Sequence, residues 1–578
     1  MARYFRAVAL DFDGTLSTRG QRPRREVLES IRRTRMADYH LILVTGRILS
    51  HLREDFPDFD QHFDAVVAEN GAVLATEQGI RTLVTPVDRA LANALTDRGV
   101  KFRHGQVLLD CSARDAVAAM EEIRRLGLDS QLIFNREALM ILPAGITKGT
   151  GLREALAERG ISYHNAIAVG DAENDHALLD ECEIGVAVGN AVPALKLHAD
   201  RILDQPAGEG VRELLDGPLL GGVDAVYSRR WQLRLGTTRD GTPLTVPASQ
   251  SNVLICGDSG SGKSHVAGLF AERLIALGYC VLVVDPEGDH LGLARMRDTV
   301  RRNAADGLPS PAAAVQLLRE RLSSVILDAS GLTGPDRDRY LSQLSLQVAL
   351  QRHAYGLPHW LLIDEAQDAP ASLNPSARIP TQSNWGYCLV SWRPEQLDDD
   401  TLDQIRVVIA VASGQAERCS AAIAETVARV SGHSAEHVRE VAREMAHGQA
   451  MLAATGKSPL EVFTVATRAT EHVRHWHKYT AGRLKPEQWF YFRDRADQPS
   501  GSAANITELQ VVLSGCEDAV LRHHARGHDL SQWIRRVFQD PQLADELAVS
   551  EAELASGVIP ASVARIGLMS AIRRRYGV

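Results

Sequence analysis

Residues 7–16 read Ala-Val-Ala-Leu-Asp-Phe-Asp-Gly-Thr-Leu, an apolar run that delivers Asp11 and Asp13 at its carboxyl end. Side chains two apart on an extended chain share a face. Two carboxylates crowded on that face repel unless a cation sits between them, so Mg²⁺ is implied. Three further segments complete the picture. LILVTGR (41–47) ends a second strand in Thr45, a hydroxyl suited to a phosphate oxygen. ITKGTGL (146–152) places Lys148 ahead of a helix. AIAVGDAENDHALL (166–179) ends another strand with Asp171, Asn174 and Asp175, which are candidate magnesium ligands. From Ala7 to about Leu215, short apolar strands alternate with helical stretches, which predicts an α/β unit.

These four segments, in this order, resemble the haloacid dehalogenase-like hydrolases, more closely their type IIB (Cof-like) phosphatases. AENGAVL (68–74) and GVAVGNAVPALKLHADRILDQPAGEGV (185–211) are also similar to that family. The resemblance implies a Rossmannoid fold and a phosphomonoester substrate. It makes Asp11 the nucleophile that forms an aspartyl-phosphate. Asp13 protonates the leaving oxygen and then activates water. Thr45 and Lys148 neutralise the phosphoryl group. Asp11, the Asp13 carbonyl and Asp171 hold Mg²⁺, with Asn174 and Asp175 behind or beside them. The segment at about 86–143 reads helix, strand, helix and paired strands. By resemblance it is the α/β cap that selects substrate, and it is short for that class.

A second motif lies at 257–264, Gly-Asp-Ser-Gly-Ser-Gly-Lys-Ser, after the strand NVLIC and before a helix. This is the context of a phosphate-binding loop. Backbone N–H groups from Gly257, Ser259, Gly260, Ser261 and Gly262 cradle ATP phosphates, Lys263 reaches the β/γ-phosphates, and Ser264 binds Mg²⁺. About a hundred residues on, WLLIDEAQD (360–368) is an apolar strand ending in Asp364, which holds the magnesium through water, and Glu365, which polarises the attacking water. VLVVDPEGDH (281–290) places Asp285, Glu287 and Asp289 after another strand, and LVSWRPEQL (389–397) places Ser391 and Arg393 after a later one.

Residues 231–466 therefore resemble the HerA/FtsK-like ATPases, specifically the HerA-like helicase core, a RecA-like α/β domain. Related sequences carry Gln where this chain has Trp392, so a contact to the γ-phosphate is unfilled unless Ser391 or Arg393 takes it. Only a hairpin at 231–247 is left to stand for the N-terminal β-barrel of HerA proteins. The resemblance also implies a ring-shaped homo-oligomer in which a neighbour's arginine reaches the γ-phosphate, with Arg393 and Arg406 as candidates.

Three units are expected: 1–216, a phosphatase domain with its cap; 223–484, an ATPase domain; and 485–578, a helical module. The 578 residues suffice for several domains. The net charge of −9 removes a whole-chain basic footprint for nucleic acid. The arginines at 19, 22, 24, 25, 32, 33 and 35 read as a solvated face. Met1 to Arg6 runs straight into a strand, with no signal peptide, and no stretch approaches the roughly 18 apolar residues of a membrane span. Seven scattered cysteines without a CxxC pair argue for a reducing cytoplasm. His472, His475 and His477 read as a basic interdomain segment, with metal binding or base stacking as the alternatives. Three functions remain open: a bifunctional phosphatase and ATPase, a nucleic-acid machine that trims phosphate ends, and a phosphatase gated by ATP.

Overall fold

The computed structural model describes residues 4–576 apart from 19–20, 136, 221–224, 304–306, 333, 374–384, 414–418, 471–483, 495–497 and 539. The histidines at 472, 475 and 477 therefore lie outside the described residues.

The first unit holds β1 (Ala7–Asp11), β2 (His40–Val44), β3 (Ala65–Ala68), β4 (Val73–Thr76), β5 (Gly79–Thr82), β6 (Phe102–His104), β7 (Leu109–Ser112), β8 (Ser130–Asn135), β9 (Ala138–Pro143), β10 (Ala166–Gly170), β11 (Ile184–Ala187) and β12 (Arg201–Ile202). Its main sheet runs β12-β11-β10-β1-β2-β3-β4-β5. The strands are parallel up to β3, and β4 and β5 return antiparallel. Every residue of β1, β3, β10 and β11 is buried, as expected of a parallel sheet covered on both faces. Each fully buried Val, Leu or Ile there contributes roughly 1.5–3 kcal/mol.

β6–β9 form a separate four-stranded antiparallel sheet, the insertion expected at about 86–143. It has its own small core of Leu91, Leu95, Leu109, Ala119, Leu139 and Ile141. Met140 and Leu142 alternate to the other face and pack into the main core. The insertion is thereby seated on the larger sheet.

The second unit holds β13 (Gln232–Thr238), β14 (Pro243–Pro247), β15 (Asn252–Cys256), β16 (Val281–Asp285), β17 (Thr299–Asn303), β18 (Ser324–Asp328), β19 (Trp360–Ile363), β20 (Tyr387–Ser391), β21 (Val407–Val411), β22 (Gln449–Ala454) and β23 (Glu461–Val465). Their order is β14-β13-β23-β22-β21-β15-β20-β19-β16-β18-β17. The hairpin at 231–247 pairs with β23 and extends this sheet, so it builds no separate barrel.

The two units meet at the amino ends of their strands. Arg6, just before β1, donates from Nη2 to the Arg352 carbonyl at 2.7 Å. His164, just before β10, contacts the Leu277 carbonyl through Nε2 at 2.9 Å and stacks on Tyr279 with ring centroids 3.6 Å apart. Glu183 accepts the Tyr279 hydroxyl at 2.7 Å and faces His164 Nδ1 at 2.7 Å. His164 and Glu183 are fully buried; His164 Nε2 and Glu183 Oε2 find partners across the seam, while Glu183 Oε1 is buried without a hydrogen-bond partner.

The segment from 485 onward is helical from Ile506 to Tyr576, as expected, and opens with a hairpin, β24 (Phe490–Arg493) and β25 (Pro499–Ala503). Phe490 and Phe492 bury against Leu521 and Trp533 of the helices that follow. Short aromatic alternation, not helical periodicity, governs Trp489–Arg493. Among the described residues no helix is long and apolar enough to cross a membrane. Of the arginine cluster, Arg22 pairs with Asp58, Arg25 with Glu29, Arg33 with Asp216 and Arg35 with Asp64. Most of that face is thus neutralised within the chain.

Candidate active sites

Asp11 closes β1, and Thr45 and Asp171 follow β2 and β10, so all three arrive at one edge of the sheet. Lys148 comes from the helix Lys148–Glu158. That helix is fixed by a capping box: the Thr147 and Thr150 hydroxyls accept each other's backbone N–H at 3.1 and 3.0 Å. It lies so close to Gly71, at φ +106°, that a Cβ there would fall 1.9 Å from the Thr147 carbonyl oxygen.

Lys148 Nζ donates to Asp11 Oδ1 and Asp175 Oδ1, each at 2.6 Å. Asp175 Oδ2 accepts the backbone N–H of Asp171 and Ala172, both at 2.9 Å. The Thr15 hydroxyl lies 3.2 Å from Asp171 Oδ1. Burial pushes the Asp11 carboxyl well above its ordinary range, Asp175 and Asp171 add to the effect, and Lys148 opposes it. Burial alone would depress the Lys148 ammonium, yet Asp11 and Asp175 hold it above its usual value. Asp11, Asp171 and Asp175 offer carboxylate oxygens within 4.8 Å of one another, all buried. Three carboxylates against one ammonium leave an excess of two negative charges. A divalent, oxygen-liganded cation fits that deficit.

Thr45 is fully buried and its hydroxyl accepts the Arg47 N–H at 3.1 Å. The Asp13 side chain stands outside the carboxylate cluster: Arg47 forks it, Nε to Oδ2 at 2.6 Å and Nη2 to Oδ1 at 2.8 Å. Asn174 donates to Asn70 Oδ1 at 3.3 Å, and its own Oδ1 is buried without a partner. Above the site, the buried Glu69 carboxylate accepts three backbone N–H groups of the insertion, from Gln106, Val107 and Leu108, at 2.8–3.2 Å. Arg47 lies in LILVTGR and Glu69 and Asn70 in AENGAVL, where spacing alone assigns them no role.

In the second unit, residues 257–264 join β15 to the helix Lys263–Ala276. Gly260 and Gly262 take φ +82° and +103°, which exposes backbone N–H groups around the loop. Lys263 Nζ lies 3.3 Å from the Asp258 carbonyl. The Ser261 hydroxyl is buried without a partner, an orphan that an anion in the loop would satisfy. Ser259 is exposed and Ser264 is half-buried at the first turn of the helix.

Asp364 follows β19, fully buried, with Oδ2 2.9 Å from His290 Nε2. Asp285 folds the intervening turn by accepting the N–H of Gly288, Asp289 and His290 at 2.8–3.0 Å. Burial raises Asp364, but its bond to His290 outweighs that and leaves it below the ordinary carboxylate range. Burial, then Asp364, pushes Glu365 up. Glu365 sits at φ +50°, and its Oε2 accepts Gln367 Nε2 at 2.6 Å. Arg393 stacks on Trp392, 3.9 Å from the ring centroid. Arg406 packs on Trp385 just before β21, at the edge opposite the phosphate loop. Only the fold brings His290 to Asp364, 74 residues away, whereas Gln367 stands two residues from Glu365 in WLLIDEAQD, where spacing alone assigns it no role.

A family profile of haloacid dehalogenase-like hydrolases matches residues 8–109 and 120–215. The profile of the helicase HerA central domain matches residues 235–331. A phosphoglycolate phosphatase of Methanobrevibacter smithii is 30% identical over 228 residues, covering 36% of this chain and 97% of that protein. One of Methanothrix thermoacetophila is 33% identical over 224 residues, covering 38% of this chain and 98% of that protein. A solved haloacid dehalogenase-like hydrolase of Bacteroides thetaiotaomicron is 19% identical with a TM-score of 0.32, covering 37% of this chain and 98% of that one.

Proposed function

Because the chain belongs to the haloacid dehalogenase-like hydrolases through residues 8–215 and joins that phosphatase to a HerA-type ATPase domain, we propose a Mg²⁺-dependent phosphomonoesterase and an ATP hydrolase working in one polypeptide. The units are 1–216, 223–484 and 485–578. The observation that carries the phosphatase reading is the buried set of Asp11, Asp171 and Asp175 around Lys148.

Asp11 attacks the phosphorus and the ester oxygen leaves, which gives an aspartyl-phosphate on this chain. Lys148 and Thr45 bind the phosphoryl oxygens and offset their growing charge. Asp13 protonates the leaving oxygen and then takes a proton from the water that cleaves the acyl-phosphate. For that, Arg47 must release Asp13, and the arriving phosphoryl group is the anion that competes for its guanidinium. Mg²⁺ held by Asp11, the Asp13 carbonyl and Asp171, with Asn174 and Asp175 nearby, supplies charge neutralisation of the phosphoryl group. In the second unit, Gly257–Ser264 cradle ATP, Ser264 and Asp364 serve its magnesium, and Glu365 orients water.

The relatives named above are phosphoglycolate phosphatases, so a small phosphorylated hydroxy acid is the first substrate to try. The compact insertion seated over the site suits a small ester. The test is a phosphatase screen across phosphoglycolate, sugar phosphates, nucleotides and phosphate-ended oligonucleotides, with and without ATP. Turnover of oligonucleotide ends alone would replace this reading with end-trimming.

A second reading, in which nucleotide state gates the phosphatase, is favoured by the buried His164–Glu183–Tyr279 seam. It expects phosphatase turnover to change with ATP in the parent chain and not in Lys263→Ala. A ring is tested by the mass in solution at micromolar concentration, with and without ATP. A monomer under both conditions, with a rate per chain independent of concentration, ends that proposal.

A further inference from the structure

Trp392 follows β20, and its indole is covered by the Arg393 guanidinium. A glutamine amide reaches the end of this strand from the segment after a neighbouring one. β20 lies between β15, which leads into the phosphate loop, and β19, which leads into Asp364 and Glu365. Ser391, the last residue of β20, is in register with Cys256, the residue before the loop. The fully buried Ser391 donates its hydroxyl to Gln367 Oε1 at 2.7 Å and accepts the Arg393 N–H at 3.1 Å. Gln367 then donates from Nε2 to Glu365 Oε2 at 2.6 Å, and to Asp368 Oδ2 at 3.2 Å.

An amide accepts at one end and donates at the other, and Gln367 uses both. The carboxylates of Glu365 and Asp368 only accept, so they fix the N–H end of the amide toward themselves, and the Ser391 hydroxyl meets the oxygen end with its proton. We propose that Gln367 is a positioning residue for ATP hydrolysis: it holds the Glu365 carboxylate and ties its placement to Ser391, at the strand end beside the phosphate loop. The inference rests on reading Glu365 as the group that orients water. A glutamate has three rotatable bonds, and a misplacement of about 1 Å costs on the order of 10²-fold in rate. The bond to Gln367 engages Oε2, and Ser391 sets where that bond points. A shift of the phosphate loop moves Cys256, hence its register partner Ser391, hence the amide.

The test is steady-state ATP hydrolysis by the full chain, with the affinity of a fluorescent non-hydrolysable ATP analogue measured alongside. Gln367→Ala is expected to lower kcat about 10²-fold with KM and analogue affinity unchanged. Ser391→Ala, which removes the anchor on the oxygen end of the amide, is expected to lower kcat roughly tenfold. Ser391→Thr, which keeps the hydroxyl, restores it. The double variant Gln367→Ala/Ser391→Ala is no slower than Gln367→Ala alone, because Ser391 acts through Gln367. Phosphatase turnover by the same preparations controls for folding.

Loss of analogue binding together with kcat in Gln367→Ala means a structural role and overturns the proposal. Additive single losses overturn the link to Ser391. Glu365→Gln separates the two levels. If it hydrolyses ATP normally, the role of Glu365 fails and this inference with it. If it is inactive while Gln367→Ala keeps the parent kcat, only this inference falls.

Discussion

Replacing Lys148 by methionine removes the only ammonium among three buried carboxylates while keeping most of the side-chain volume. In the native protein its Nζ makes two contacts of 2.6 Å, and the side chain is 1% exposed. Breaking a buried ion pair from one side costs about 3–5 kcal/mol, because the partner charge stays buried and uncompensated. For a unit of this size each kcal/mol moves the melting temperature by about 2–4 °C, so the expected drop is roughly 6–20 °C. The pH dependence has a definite sign. The folded-state Asp11 carboxyl lies well above its ordinary 3.8, so its unfavourable contribution is absent below that value and grows as pH rises toward the folded-state pKa. Lys148 opposes that shift, so the deficit of the variant is largest at neutral pH and shrinks on acidification toward 3.8. Added Mg²⁺ recovers part of it, by about 2.7 kcal/mol at a hundred times its dissociation constant. The assay is calorimetry of the full chain in neutral and acidic buffers with and without Mg²⁺, following the first transition because the chain has several cores. A melting temperature within about 2 °C of the parent at neutral pH, or a deficit that grows on acidification, would refute this account of the site.

Asp11→Asn abolishes hydrolysis of every phosphate ester and leaves ATP hydrolysis intact, because an amide cannot form the acyl-phosphate; parallel assays of both activities check it. Lys263→Ala loses ATP binding, whereas Glu365→Gln binds ATP and does not split it, which nucleotide binding and phosphate release distinguish. Gly71→Ala destabilises the first unit by about 4 kcal/mol or more, since the added carbon meets the Thr147 carbonyl and unseats the helix that carries Lys148. Urea unfolding followed through phosphatase activity reads this change, and a parent-like midpoint contradicts the packing described.

The sequence made the two sheets legible because their central strands are unbroken apolar runs bounded by chemistry. AVALD ends on Asp11, LILV, AIAVG and WLLI end one residue before Thr45, Asp171 and Asp364, and NVLIC ends where the phosphate loop begins. It was silent where strands are held by neighbours and not by their own pattern. β17 (Thr-Val-Arg-Arg-Asn) is an edge strand with two charged residues, and β22 (Gln-Ala-Met-Leu-Ala-Ala) has the composition of a helix. Both pair because the sheet beside them offers free backbone groups, which outweighs local propensity. The site followed the same rule. Asp11, Lys148 and Asp171 are visible as spacing, but Arg47 on Asp13 and Gln367 on Glu365 are contacts made by side chains whose reach the sequence does not encode. The insertion was legible as a block, while its anchor was not. Glu69 reaches 37–39 positions along the chain to find its three N–H donors.

The meeting of the two units at the amino ends of their strands has a consequence for traffic. Asp11 and the phosphate loop sit at the carboxyl ends of β1 and β15, and each of those strands spans five residues, about 17 Å. Each centre therefore stands a full strand length from the seam, farther than any side chain reaches, so no seam residue touches either of them. Displacement of the packed strands, arriving through residues such as His164 and Tyr279, is the way such a seam carries news from one centre to the other.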